Sequence, residues 1–182
     1  MNFLELAEKR QSVRKYSNKP IEREKIDRCL KAAQLAPSAC NSQPWHYIIV
    51  DDPGLREQVA NESYNTLAAF NKFAVNAPII VVLVMEKPNA LSQIGGRIKS
   101  KDFYLMDIGI TAAHFCLQAA EDGLGTCMLG WFNEKKLKKI LSIPDKRGIG
   151  LVITMGYPET EEIRPKKRKS VEEISQYNKY SK

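Results

Sequence analysis

Residues Pro37-Ser-Ala-Cys-Asn-Ser-Gln-Pro-Trp45 decide how this chain is read. They follow a helix-like run whose apolar positions are Ile26, Leu30, Ala33 and Leu35, and they precede the β-rich run Tyr47-Ile-Ile-Val50. Pro37 cannot continue a helix, because it lacks a backbone N–H and its ring clashes with the preceding turn. Pro44 drives Gln43 toward an extended conformation. Between the prolines stand Ser38, Asn41, Ser42 and Gln43, uncharged side chains that both donate and accept hydrogen bonds. A helix-to-strand connection usually needs only a few residues. One this polar either presents groups to a ligand or forms an ordinary Asx/Ser turn, and the stretch alone leaves both readings open.

Outward toward the N-terminus, residues 2–9 read as a helix with Phe3, Leu4 and Leu6 apolar. Its acids exclude the apolar region of a secretory signal. In Arg10-Gln-Ser-Val-Arg14, the residues Arg10, Ser12 and Arg14 alternate, so in an extended segment they share a face. Guanidinium groups beside a hydroxyl make a fork suited to phosphate; the plainer alternative is an exposed basic strand. Tyr16-Ser-Asn-Lys-Pro20 is a turn, and Ile21-Glu-Arg-Glu24 opens the helix that runs toward Pro37.

Outward toward the C-terminus, Asp51-Asp-Pro-Gly54 is a turn. Residues 55–73 are helical in pattern, in two pieces, with Leu55, Val59, Leu67, Phe70 and Phe73 as the apolar face. Ala77–Met85 is the clearest strand, apolar throughout as a central strand covered on both faces should be. Residues 86–101 contain breakers, glycines and charge and read as a lid or binding loop. Asp102 is expected to cap a helix over 103–121. That helix is apolar nearly all the way round, the pattern of one buried in a core or an oligomer interface; in a chain of 182 residues this favours a dimer. Asp107 and His114 on it need hydrogen-bond partners. Gly123-Leu-Gly125 ends the helix, Thr126–Gly130 is a short strand entering a turn, and Asn133 caps a short basic helix. Ile149–Met155 is the last core strand, closed by Gly156-Tyr-Pro158. The tail, 159–182, carries Arg164-Pro-Lys-Lys-Arg-Lys169 and an amphipathic end (Val171, Ile174, Tyr177). It is too thin to fold alone and must lie on something.

A hydrophobic share of 43% and a charged share of 27% fit a globular chain, and no linker divides residues 1–182, so a single domain is expected. No apolar run approaches the roughly 20 residues of a membrane helix, so no membrane partner is expected. The cysteines Cys29, Cys40, Cys116 and Cys127 show no CxxC pairing and read as reduced thiols in a cytoplasmic protein. Cys40 and Cys127 read as packing residues. With only two histidines, a metal site is not expected. The net charge of +7 admits nucleic acid, but the basic residues lack interleaved aromatics and no reader motif is present, so none is expected as a partner.

Taken in order, Arg-x-Ser-x-Arg, Ala-Pro-Ser-x-x-Asn-x-Gln-Pro-Trp, a buried helix, Gly-Leu-Gly-Thr-Cys-x-x-Gly, Gly-Tyr-Pro and a basic tail resemble the FMN-dependent nitroreductase family, from about residue 3 to 175. The resemblance implies an α+β fold with a central mixed, mainly antiparallel sheet flanked by helices, in an intertwined homodimer whose C-terminal arm, 159–182, lies over the partner. It implies FMN at the interface. Arg10, Ser12 and Arg14 would hold the phosphate and ribityl chain, joined by Lys166 and Arg168 of the tail, with Lys167 and Lys169 one position out of that register. Pro37, Ser38, Asn41 and Gln43 would line the flavin, partly from the other subunit. Asn71 would reach the pyrimidine edge. Met128, Leu129 and Gly130 would run along the isoalloxazine. The implied activity is NAD(P)H oxidation by ping-pong hydride transfer through flavin N5 to nitroaromatic or quinone-type acceptors, with no protein side chain acting as nucleophile or base. The alternatives are a non-catalytic FMN store, or a dehalogenating or flavin-cleaving branch of the same fold.

Overall fold

The most apolar run of the chain becomes an inner strand of its sheet. The strands β1 (Trp45–Val50), β2 (Ile79–Met85), β3 (Gly125–Leu129) and β4 (Gly148–Gly156) form a four-stranded sheet in the order β1-β2-β4-β3. Every neighbouring pair is antiparallel. A parallel bridge from Ser12 to Thr126 on the free side of β3 adds the mixed character. The computed structural model describes residues 1–64 and 69–180; Leu67, placed above on an apolar helix face, lies outside the described residues.

Alternation along β2 distributes its side chains to two cores. Ile80, Val82 and Val84 pack with Val50, Val59, Leu137 and Val152 on one face. Ile79, Val81 and Leu83 pack with Ile26, Cys29, Ala112, Phe115 and Met155 on the other. The second face is covered by α2 (Arg23–Gln34) and α5 (Phe103–Glu121). The first is covered by α3 (Pro53–Asn61), a 3-10 segment (Ala69–Asn76) and α6 (Glu134–Ile140). α1 (Phe3–Lys9) and α7 (Val171–Ile174) lie outside both cores. This is the α+β arrangement the sequence implies. Phe115, fully buried, stacks on Tyr47 with ring centroids 5.4 Å apart. The Tyr47 hydroxyl pairs with Thr111 Oγ1 at 3.0 Å, and Thr111 donates to the Ala33 carbonyl at 3.0 Å. That chain fixes the end of α2, and so the start of the Pro37 stretch, against the middle of α5.

Two local expectations are corrected. The stretch 86–101 is not a loop: Ala90–Lys99 forms helix α4. Asn89 supplies the start, its Oδ1 accepting from the Ser92 N–H at 2.9 Å, and Ser100 in a left-handed conformation supplies the stop. The Gly95-Gly96 pair lowers helix propensity but does not outweigh caps at both ends. Asp102, in turn, makes no side-chain cap to α5. The all-round apolar pattern of α5 divides into a buried stripe (Ile108, Ala112, Phe115, Ala119) and an exposed one containing Leu105, Met106 and Ile110. Among the described residues no helix is long and apolar enough to cross a membrane.

Replacing Phe115 with Ala should destabilise the protein by about 3–5 kcal/mol in urea unfolding, because a large stacked side chain leaves a cavity at the sheet face. Alkaline pH tests the same core. Burial pushes the Cys29 thiol up to about 12 and the Cys116 thiol up to about 11. An unfolded thiol ionises near ~8.5. Stability is therefore full below that pH and is lost as pH rises toward the folded values. The urea midpoint should fall between about pH 9 and pH 11, and fall less steeply in a Cys29→Ala/Cys116→Ala variant.

Candidate active site

The segment Arg10–Arg14 runs along the free edge of β3. Val13 N–H donates to the Thr126 carbonyl at 2.9 Å. The close approach requires Gly125, where a Cβ would stand 2.5 Å from Val13 Cγ2. Tyr16 fixes the end of the segment: its hydroxyl donates to the Val13 carbonyl at 2.7 Å and lies 2.7 Å from Thr154 Oγ1. Burial pushes this phenol well above its ordinary range, so it stays neutral.

The tail returns to the same edge. Gln11 Nε2 donates to the Glu162 carbonyl at 2.7 Å. Arg164 donates to Gln11 Oε1 through its backbone N–H at 3.2 Å and through Nε at 3.1 Å, and to the Ser12 carbonyl through Nη2 at 2.5 Å. Lys166 Nζ donates to the Glu8 carbonyl. The two ends of the chain thus meet within one protomer. Lys166 is pushed below the ordinary lysine value by burial of its ammonium and by the charges of Arg10, Arg168 and Arg164. The charges of Arg14, Arg164 and Arg10 also reach the Cys127 thiol, which nonetheless sits above its ordinary value because burial dominates. Arg14 lies over the Phe73 ring, 5.8 Å from its centroid. Among the described residues, Arg10, Arg14, Arg164, Lys166 and Arg168 enter no ion pair. Arg164 was not singled out by sequence; its place at the head of the basic cluster was the available signal.

Beyond this corner, β3 presents Met128, 37% exposed, while Leu129 points into the core and can line a site only with its backbone. At Gly130 an added Cβ would meet nothing within 4 Å, so the backbone is approachable there. Trp131 follows, half exposed and not foreseen as a site residue. Asn71, buried, donates through Nδ2 to the Ser63 carbonyl at 3.1 Å and to the Trp131 carbonyl at 3.3 Å. The amide thereby ties the end of α3 to the turn after β3, and Oδ1 is the atom Asn71 can offer a ligand.

Pro37, Ser38, Asn41 and Gln43 form a turn ahead of β1. Ser38 Oγ accepts from the Gln43 N–H at 2.9 Å, and Gln43 Nε2 donates to Asn41 Oδ1 at 3.0 Å. Asp107 Oδ1 accepts from the Ala39 N–H at 3.0 Å, the buried hydrogen bond expected of it. Its Oδ2 is buried with no hydrogen-bond partner among the described residues. His114 Nδ1 lies 2.9 Å from the Ile110 carbonyl of its own helix. Cys40, Asn41 and Gln43 all have positive φ, at 52°, 50° and 46°. Cys40 is exposed, contrary to a packing role, whereas Cys127 is buried as expected.

The turn and the basic corner are far apart in one chain. β1 and β3 are opposite edges of the sheet. Trp45 lies level with Met85, and Thr126 is level, through Met155, with Ile79, six residues away along β2. Three interstrand steps and six residues of strand place these corners on the order of 25 Å apart. One protomer therefore gathers Arg10, Ser12, Arg14, Asn71, Met128, Gly130, Lys166 and Arg168 on one side, and leaves Pro37, Ser38, Asn41 and Gln43 on the other.

The chain belongs to the nitroreductase family, whose model matches residues 7–157. It is 32% identical over 156 residues, 84% of this chain and 83% of the relative, to an Archaeoglobus fulgidus protein provisionally named NADH dehydrogenase/NAD(P)H nitroreductase. It is 27% identical, over 94% of this chain and 68% of the relative, to iodotyrosine deiodinase 1 of Rattus norvegicus. Among solved structures it resembles an FMN-dependent nitroreductase from Clostridium difficile R20291, with a TM-score of 0.80, 27% identity, and coverage of 98% of this chain and 100% of that one. The chain is thus an oxidoreductase of this family by fold and by sequence.

Burial separates the thiols. Cys40 should react with a thiol reagent at neutral pH as one fast equivalent per chain, and Cys29, Cys116 and Cys127 only after denaturation. Several fast equivalents would contradict this placement.

Proposed function

We propose that the protein is an FMN-dependent NAD(P)H oxidoreductase that works as a homodimer on nitroaromatic or quinone-type acceptors. The observation that carries this reading is the gathering of Arg10, Arg14, Arg164, Lys166 and Arg168 about Ser12, with none of the five in an ion pair among the described residues and Glu8 the one carboxylate whose charge reaches Lys166. Crowded cations raise one another's energy unless an anion joins them. A phosphate dianion takes several charge-assisted donors at once, so the donor set fits the end of FMN.

Bound FMN would supply the redox chemistry, the passage of a hydride from NAD(P)H to an acceptor. The chain's own work is to hold and shield. Arg10, Arg14, Lys166 and Arg168 would hold the phosphate, and Ser12 would meet the ribityl chain. Met128 and the backbone at Leu129 and Gly130 would form a wall along the ring system. Asn71 would face the pyrimidine edge, with Oδ1 left as its acceptor. Pro37, Ser38, Asn41 and Gln43 complete the site from the partner, because within one chain they lie at the far corner of the sheet. The exposed stripe Leu105, Met106 and Ile110 on α5 supports pairing of two copies. Exposed Val171, Ile174 and Tyr177 support an arm, 159–182, lying over the partner. The free thiols accord with a reducing cytoplasm.

The test is the absorbance spectrum of purified protein, followed by anaerobic reduction with NADH and NADPH. Flavin bands and steady NAD(P)H consumption with a nitroaromatic or quinone are expected. A colourless protein that refuses added FMN would contradict the reading; tight flavin without turnover would make it a flavin store. Arg10→Ala should weaken FMN binding by about 10- to 100-fold, the worth of one charge-assisted hydrogen bond, with little change in melting temperature.

A further inference from the structure

The turn 38–43 is held in an unfavourable shape by groups outside it, and one of them has no place in the site described above. Cys40, Asn41 and Gln43 occupy the left-handed region, at φ 52°, 50° and 46°; asparagine tolerates it, but Cys40 and Gln43 do so at a cost. Such a turn persists only when its surroundings fix it. On one side is Asp107 of α5, a buried carboxylate holding the Ala39 N–H at 3.0 Å. On the other is Asn89, at the head of α4. Its backbone N–H donates to Ser42 Oγ at 2.8 Å, and its Nδ2 donates to the Cys40 carbonyl at 2.9 Å. Its Oδ1 at the same time caps α4 through the Ser92 N–H at 2.9 Å.

A helix cap needs only the oxygen, and Ser or Asp serves it about as well. Of these residue types Asn alone also brings an amide N–H2. Asn89 uses that second function to seize the carbonyl of a strained residue. Asp107 sits on a core helix and is a fixed jaw. Asn89 sits on a helix whose Leu91, Ile94 and Ile98 are 66%, 55% and 72% exposed, so α4 has an apolar stripe free to meet other groups.

We propose that Asn89 is a positioning residue that sets the conformation of the 38–43 turn and ties it to α4, so that flavin affinity and acceptor handling change together. This rests on the turn facing FMN, as proposed above. Asn89 touches neither flavin nor acceptor in this account and acts through Cys40 and Ser42.

Asn89→Ser keeps the cap oxygen and the backbone N–H but loses the amide that reaches Cys40. It should weaken FMN binding by about fivefold, the worth of one neutral hydrogen bond, alter the visible circular dichroism of bound flavin, and change the acceptor KM more than kcat. Asn89→Asp keeps the cap but sets a carboxylate against the Cys40 carbonyl, and should weaken FMN by more than Asn89→Ser does. In flavin-free protein, both variants should label Cys40 with a thiol reagent faster than the parent, at a melting temperature within about 2 °C of it. If the parent binds FMN and Asn89→Ser matches it in affinity, flavin spectrum and Cys40 labelling, the inference is overturned. It is overturned equally if flavin loss merely tracks lost stability, as in Phe115→Ala. If the parent binds no FMN, the functional reading fails first, and unchanged Cys40 labelling in Asn89→Ser would then dispose of the clamp as well.

Discussion

The meeting of the two chain ends at the edge of β3 is the interaction on which the site depends. Arg164 reaches the Ser12 carbonyl and Gln11, and Lys166 reaches the Glu8 carbonyl. These contacts use backbone and amide oxygens, so they draw the cations together without neutralising them. The charge therefore remains available to a ligand. Burial and neighbouring guanidiniums both act against the Lys166 ammonium. A fold that keeps such a cluster close to a hydroxyl at Ser12 is prepared for an anion with several oxygens.

The sheet sets where that cluster can work. Its inner strand β2 is buried on both faces and carries two cores by simple alternation. That leaves the edges for chemistry. Gly125 lets Val13 press against one edge, and Tyr16 secures the segment through Thr154. The other edge carries the turn ahead of β1. Two corners on the order of 25 Å apart cannot serve one flavin in a single protomer, which is why a second copy enters the account through geometry as well as through the apolar stripe on α5.

Much of this was legible in the sequence, and for identifiable reasons. The period-2 placement of Arg10, Ser12 and Arg14 and the unbroken apolar run of β2 are local signals that tertiary structure had no cause to override, whereas the extended shape that Pro44 favours for Gln43 gave way to a left-handed one, φ 46°, in a turn held by outside hydrogen bonds. The bounds of α5 were legible because its apolar residues recur over many turns. The helix at 90–99 was not, because Gly95-Gly96 reads as a breaker while the Asn89 cap, which decides the matter, looks like any turn asparagine. The burial of Leu129 beside exposed Met128 follows from strand alternation but depends on which face meets the core, which one strand alone does not tell. The donor role of Asn71 was hidden because its partners, the Ser63 and Trp131 carbonyls, are backbone atoms that sequence does not mark. The return of Arg164 to Ser12 spans 152 positions, beyond the reach of any local pattern.

The central claim is that opposite ends of the polypeptide build one seat for a flavin's phosphoryl group. Titrating flavin-free protein with FMN and with riboflavin, which differ by that group, at two salt concentrations addresses it directly. The account predicts FMN binding at least ~100-fold tighter than riboflavin, with the difference shrinking as salt rises. Equal affinity for the two, unaffected by salt, would contradict it.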